Sequence, residues 1–319
     1  MVDEEPLVEP SEIFSIATND GHLLYAEAVG TGTTPLLYLH GGPGSGCSLN
    51  QRKMFDGVAT TSYLLDQRGS GRSRPLAESF EHDLATQTTA NLVADLELLR
   101  EAAGVDAWAV LGLSWGTTLA LAYAEAHPER VTKIGLGLVT TTSTAEVAWM
   151  TETLEPVFPR EFAAFRDAVP DQFRRERMVD AYGDWLATSD PTLRQQAARA
   201  WCDWEEAHVS LATGPRPNPL FSDPAFALRF ATLVTHYWRN AHAFGHDDLI
   251  ANATRLRGTP GRLVIGRLDI SSPALTATSL VDHWPDASLE IVDDAGHGSG
   301  RGFGEALGSL ISWLGETAP

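Results

Sequence analysis

Three side chains carry the types needed for nucleophilic acyl chemistry, Ser114, Asp269 and His297, and they occur in that chain order. A serine hydroxyl is a weak nucleophile at neutral pH until a base takes its proton, and an imidazole base needs a carboxylate to fix its tautomer. Ser114 stands in Gly112-Leu113-Ser114-Trp115-Gly116. The two glycines let a flanking strand and helix approach closely while the hydroxyl stays exposed on a strained turn. Acyl transfer also creates an oxyanion, which preorganised backbone donors stabilise. The run His40-Gly41-Gly42-Pro43-Gly44-Ser45-Gly46 is too rich in glycine for regular structure and exposes such donors. Gly42 N–H is the expected first donor and Trp115 N–H its partner. A phosphate-cradling loop is the competing reading of the glycines, but neither Lys-Ser nor Lys-Thr follows them and the GxGxxG spacing is missing. Other histidines, His40, His236, His242 and His246, and other carboxylates, Asp293 and Asp294, are rivals for the base and its orienting acid. The two aspartates lie too near His297 in sequence to orient it readily.

The elements that must position these residues are legible from periodicity. Glu12 to Thr18 and His22 to Ala28 alternate around Asn19-Asp20-Gly21, which predicts an antiparallel hairpin. Short apolar runs at Leu36–Leu39, Ser62–Leu65, Ala107–Leu111 and Val131–Val139 suit strands buried on both faces. Leu92, Leu96 and Leu99 recur at helical spacing before Gly104, and an Ala/Leu-rich helix follows Ser114 as far as His127-Pro128. This alternation predicts a mostly parallel sheet with right-handed crossovers. Asp66 to Ser73, with its charges and glycines, reads as a tight turn that holds the elbow region. From Thr144 to about Arg257 no strand is evident, and proline-broken helical runs carry many aromatics. Strand character returns at Arg262–Gly266, just before Asp269, and at Leu289–Val292, just before His297, with a closing helix over Gly302–Leu314. Both residues then sit at the carboxyl ends of sheet strands, facing one crevice in the order expected of the α/β-hydrolase fold. The predicted organisation is a core of residues 1–140 and 258–319, interrupted by a helical cap of 141–257.

Composition narrows the partners. A net charge of -19 over 319 residues argues against nucleic acid or an anionic membrane, both of which need a basic face. Asp3, Glu4 and Glu5 stand where a signal peptide would be basic and then apolar, and no apolar run approaches a membrane span, so the expected location is the cytoplasm. Cys47 and Cys202 lack both a disulfide framework and metal-ligand spacing, so both are read as reduced thiols.

Taken together, His40-Gly-Gly-Pro-Gly44, Asp66-Gln-Arg-Gly-Ser-Gly-Arg-Ser73, Gly112-Leu-Ser-Trp-Gly116, Gly266-Arg-Leu-Asp269 and Ala295-Gly-His297 resemble the proline iminopeptidases. The resemblance covers most of the core and implies an α/β-hydrolase, with no cofactor and no metal, that cleaves an N-terminal residue, usually proline, from an amide or peptide. The family's Trp-x-x-Trp-Glu motif is matched by Trp201-Cys-Asp-Trp204-Glu205, which implies that Glu205 binds the free amine of a small-molecule or short-peptide substrate. An ammonium entering a partly desolvated pocket needs such a paired charge.

The sequence departs from the family pattern in two places. Val234 matches a second amine-binding glutamate, and Met150 with Thr151 replaces an aromatic pair of the prolyl pocket. Trp204, Val234 and Met150 are therefore the expected pocket residues, with apolar surface where the family has charge or aromatic rings. Such a pocket suits an aminopeptidase of relaxed specificity, accepting proline or a small residue such as alanine. It equally suits a tailoring hydrolase of secondary metabolism, of the kind that resembles iminopeptidases but removes an aminoacyl protecting group from a lipophilic amine such as a macrolactam. An esterase on the same fold is a further alternative, whereas an epoxide hydrolase would normally place Asp at position 114.

Overall fold

The computed structural model describes residues 8–78, 84–212 and 217–316. Asp3, Glu4 and Glu5 lie outside them. Among the described residues, eight strands form one sheet in the order β1-β2-β4-β3-β5-β6-β7-β8. The strands are β1 (Glu12–Ala17), β2 (Leu23–Val29), β3 (Thr34–Leu39), β4 (Thr60–Asp66), β5 (Trp108–Leu113), β6 (Val131–Gly137), β7 (Gly261–Gly266) and β8 (Ala287–Val292). The hairpin β1–β2 and the pair β2–β4 are antiparallel, and every pair from β4 onward is parallel. Parallel strands need both faces covered. One face is packed by α2 (Thr89–Ala102), α3 (Trp115–Ala126) and α10 (Ala274–His283), the other by the short α1 (Leu49–Lys53) region and α11 (Arg301–Gly315).

Between β6 and β7 the regular structure is helical: α4 (Thr144–Ala148), α5 (Pro159–Asp167), α6 (Met178–Leu186), α7 (Pro191–Val209), α8 (Pro224–Arg239) and α9 (Leu249–Asn252), with short 3-10 and π turns. Prolines open α5, α7 and α8, where a missing N–H costs nothing. Asp190 and Asp223 cap α7 and α8 by accepting backbone N–H bonds. The insertion has its own apolar core, in which Trp201, Trp204, Phe165 and Tyr182 stack or meet edge to face. Its last turns do not share that core. Leu249, Ala253 and Leu256 pack with the sheet cluster against α3 and α10, so this stretch serves as the crossover into β7.

A second difference from the sequence pattern is the end of β6. The apolar run continues to Val139, but Leu138 takes φ 59 and ends the strand at Gly137.

The elbow depends on backbone contacts that only glycine permits. A Cβ on Gly116 would stand 2.1 Å from the Leu39 carbonyl oxygen, and one on Gly112 would stand 2.4 Å from the Gly116 carbonyl oxygen. Backbone on both sides leaves nothing to yield. Gly116→Ala is expected to destabilise the fold by at least about 1–3 kcal/mol, the usual range for overpacking. Gly304→Ala, on an exposed turn of α11 with no atom within 4 Å of the new methyl, should instead be neutral or stabilise by about 0.5–1 kcal/mol. Urea unfolding of the two variants checks the contrast, and equal midpoints would refute it.

Candidate active site

Ser114 joins β5 to α3 with φ 55 and ψ -125, a conformation that non-glycine residues rarely adopt. Its N–H donates to the Gly137 carbonyl at 2.9 Å, so the strained residue is held by the neighbouring strand end. The loop after β7 carries Asp269 and the loop after β8 carries His297. Parallel pairing of β7 with β8, with Gly266 opposite Val292, brings both loops to the same edge as the elbow. There, His297 Nε2 lies 3.2 Å from Ser114 Oγ, and His297 Nδ1 lies 2.9 Å from Asp269 Oδ2. Asp269 is fixed in turn, because its Oδ1 accepts the Ser271 and Ser272 N–H groups at 3.0 and 2.9 Å. The three side chains predicted from chain order therefore form one hydrogen-bonded line.

Burial lowers the His297 pKa, but the charge of Asp269, its hydrogen bond and the more distant charge of Glu205 together raise it above the ordinary histidine value. An imidazolium formed during proton transfer is thus stabilised where it forms. The rival bases are otherwise engaged. His40 is fully buried, accepts the Gln67 N–H at its Nε2 and donates from Nδ1 to the Gly41 carbonyl, and burial lowers its pKa. His246 lies between Thr89 and the Thr142 carbonyl against the Trp115 ring, with its pKa lowered to about 4 by burial. His236 bonds the Gln87 carbonyl, and His242 is an exposed partner of Asp247. Asp293 pairs with Arg267 at the surface.

Gly42 lies at the cleft wall with φ 115, and the backbone of Trp115 opens α3, where a first-turn N–H has no intrahelical acceptor. Gln67 ties the two segments together. Its amide donates to the His40 carbonyl at 2.9 Å while its Oε1 accepts the Trp115 indole N–H at 3.0 Å. The turn containing Gln67 is anchored on each side. Arg68 forms a bidentate pair with Asp95, at 2.7 and 2.6 Å, and a further bond to Asp20. Asp66 accepts the Arg72 side chain and the backbone N–H groups of Cys47 and Arg72. Arg72 and Arg52 share the buried carboxylate of Glu27.

The cleft over Ser114 has a cavity volume of about 40 Å³, opens to solvent, and is walled by Gly42, Trp115, His297, Met150, Val147, Trp238, Glu205 and His208, among others. Glu205 and Met150 are therefore where the sequence expectation put them. Trp204 and Val234 are not. Trp204 is fully buried beneath Phe158, Phe162 and Phe165, and Val234 is fully buried in the cap core, with Trp238 one turn later facing the cleft from α8. The Phe158, Phe162 and Phe165 rings account for the first correction, because they pack on the Trp204 indole and hold it in the cap core. Sequence reasoning missed His208, Ser271 and Glu146. His208 sits one turn beyond Glu205, a spacing that would have marked it. Glu146 looks like a second carboxylate for an amine, but it is occupied: it closes a capping box with Ser143 and accepts from Thr141 N–H, the Thr141 hydroxyl and the Thr276 hydroxyl.

Fold and site define a hydrolase of the α/β type with a serine, histidine and aspartate in line beneath a helical insertion. Residues 34–299 match the family model described as the alpha/beta hydrolase fold. Solved structures show the same architecture: an α/β-hydrolase enzyme from a Medee basin deep-sea metagenome library (TM-score 0.61, 20% identity, 97% of this chain and 98% of that one) and an esterase from Exiguobacterium antarcticum (TM-score 0.59, 19% identity, 95% and 99%). Closer relatives are found by sequence. A Streptomyces coelicolor protein named probable proline iminopeptidase is 42% identical over 307 residues, covering 95% of this chain and 94% of the relative. The proline iminopeptidase of Xylella fastidiosa (strain Temecula1) is 38% identical, with 92% of each chain covered, and that of Arabidopsis thaliana is 37% identical, covering 91% of this chain and 76% of the plant protein. The chain belongs to the proline iminopeptidase family of α/β-hydrolases.

The charge of Glu205 near His297 has a measurable consequence. Neutral His297 is the form that can accept a proton, so kcat/KM should fall as pH drops through its pKa, which is raised from the ordinary histidine value. Glu205→Gln removes one of the charges that raise it, so the acid limb should move to lower pH. An acyl ester without an amine isolates this effect from amine binding, and an unmoved limb would contradict it.

Proposed function

We propose that this enzyme removes an N-terminal aminoacyl residue, proline or a small residue such as alanine, from a peptide or amide through an acyl-enzyme. The observation that carries the reading is the hydrogen-bonded line Ser114–His297–Asp269 opening into a cleft that also holds the Glu205 carboxylate. In this mechanism the substrate ammonium pairs with Glu205, which sets its carbonyl over Ser114. His297 Nε2 takes the hydroxyl proton as Ser114 Oγ bonds to the carbonyl carbon, and the Gly42 and Trp115 N–H groups receive the oxyanion. His297 then passes that proton to the departing amine as the C–N bond breaks. A water, deprotonated by His297, attacks the ester, and the amino acid leaves with Ser114 restored.

Membership in the family and its relatives' names favour proline at the cleaved residue. The apolar wall of Met150, Val147 and Trp238 supports a large apolar leaving amine, as in a tailoring hydrolase of secondary metabolism, although Val234 contributes nothing to that wall. The substrates fit a cytoplasmic enzyme. Support for that location comes from the acidic balance of the chain, from free Cys47 and Cys202, and from the finding that no described helix is long and apolar enough to cross a membrane. We assign residues 141–257 to the cap by sequence, with the working part of the cap ending before Leu249, where packing passes to the sheet.

Ser114→Ala should lower kcat by several orders of magnitude with the fold intact. A folded variant near wild-type turnover would sink the mechanism. Glu205→Gln should raise KM strongly for prolyl and alanyl β-naphthylamides and little for their N-acetylated forms. Comparing prolyl and alanyl versions of a dipeptide and of a lipophilic amine then decides the leaving group: a prolyl preference equal in both series would mark a general iminopeptidase.

A further inference from the structure

Glu205 and His208 lie one turn apart on α7, and both wall the cleft that contains Ser114 and His297. His208 is 2% exposed, and its Nδ1 is 2.8 Å from Ser271 Oγ. Its Nε2 stands 3.4 Å from Glu205 Oε2, yet the direction does not satisfy a hydrogen bond. Among the described residues neither atom has any other hydrogen-bond partner. Buried polar atoms are nearly always paired, so two orphans side by side at the wall of a reaction cleft call for a ligand.

We propose that Glu205 Oε2 and His208 Nε2 form a two-acceptor clamp for the substrate ammonium. The proposal rests on the reading of Glu205 as the amine-binding carboxylate and names the second group of that site. His208 Nδ1–H donates to Ser271 Oγ, which leaves the Nε2 lone pair beside Oε2. The ammonium donates one N–H to each. A prolyl substrate carries a secondary ammonium with two N–H bonds, so the clamp consumes both, whereas a primary ammonium keeps a third to satisfy elsewhere. A neutral second acceptor also avoids the repulsion that two carboxylates would feel in the empty site. Ser271 completes the arrangement. Its N–H donates to Asp269 Oδ1 while its hydroxyl meets His208, so clamp and acid share one loop, and the amine is registered against the residues that attack the carbonyl.

The clamp uses the neutral imidazole, since a proton on Nε2 replaces the acceptor by a donor and sets a positive charge against the ammonium.

The test compares a prolyl anilide with its cyclopentanecarbonyl counterpart in wild type, His208→Ala, His208→Leu, His208→Gln and Glu205→Gln, with folding checked by circular dichroism. His208→Ala should lower the ratio of prolyl to amine-free kcat/KM by about tenfold or more, through KM. His208→Gln keeps a carbonyl acceptor, so it should recover most of the ratio. Should alanine at 208 fail to fold, His208→Leu, which keeps the bulk without an acceptor, reads the same loss. An unchanged ratio in folded His208→Ala or His208→Leu, with the ratio lost in Glu205→Gln, would overturn the clamp and leave the amine site standing. An unchanged ratio in Glu205→Gln would overturn the amine site and the clamp with it.

Discussion

The structure depends on how closely three backbone segments meet beneath Ser114. The end of β3, the end of β5 and the first turn of α3 approach within a distance that excludes any Cβ at Gly112 or Gly116. That contact forces the serine into its unfavourable turn and aims the helix N-terminus at the space above it. Every other part of the site is placed relative to this knot: Gly137 holds the serine N–H, and Gln67 clips the indole of Trp115 to the His40 carbonyl. The strain is local, and the surrounding sheet, among the most deeply buried parts of the chain, over-determines it.

Beneath the glycine loop lies a buried electrostatic layer. Glu27, Arg52, Asp66 and Arg72 are linked by charge-assisted bonds of 2.7 to 2.9 Å, and Glu27 and Asp66 are wholly buried. Removing such charges from water is costly, and pairing mainly offsets that cost rather than adding net stability. What the layer supplies is geometry. Asp66 holds the Cys47 N–H at 2.6 Å, which fastens the far end of the loop that carries Gly42. Donors fixed before the substrate arrives need no reorganisation when the oxyanion forms.

Much of this was legible in the sequence, for identifiable reasons. Strands buried on both faces read as bounded apolar runs, and two of them end just before Asp269 and His297, so the meeting of Ser114, His297 and Asp269 follows from strand order. The hairpin turn and the structural role of Asp66–Ser73 were equally clear. Residues inside the cap were harder. Which face of α7 and α8 meets the cleft is decided by how they cross, and periodicity in a helix surrounded by aromatics does not distinguish cap core from cavity wall; hence Trp204 and Val234 turned inward. Glu146 and Ser271 act through partners 130 and 63 residues away in sequence, Thr276 and His208, and no local pattern announces such contacts. Leu138, apolar and in a strand-like run, leaves the sheet because it adopts a backbone conformation that its side chain gives no hint of.

The chain leaves the sheet after β6 and re-joins it at β7, its parallel neighbour, with Leu136 beside Leu263. Most of what lies between those strands packs on itself, while Leu233 and Tyr237 of α8 and the returning turns at Leu249–Leu256 pack with the sheet cluster. For heritable variation this amounts to a cassette. Mutations, insertions or wholesale replacement between β6 and the returning turns can remodel what the enzyme accepts while the strand ends bearing Ser114, Asp269 and His297 keep their register. Selection on substrate range and selection on chemistry therefore fall largely on separate stretches of one gene, joined where α7 hangs Glu205 and His208 over the serine and where α8 sets Tyr237 against Trp115.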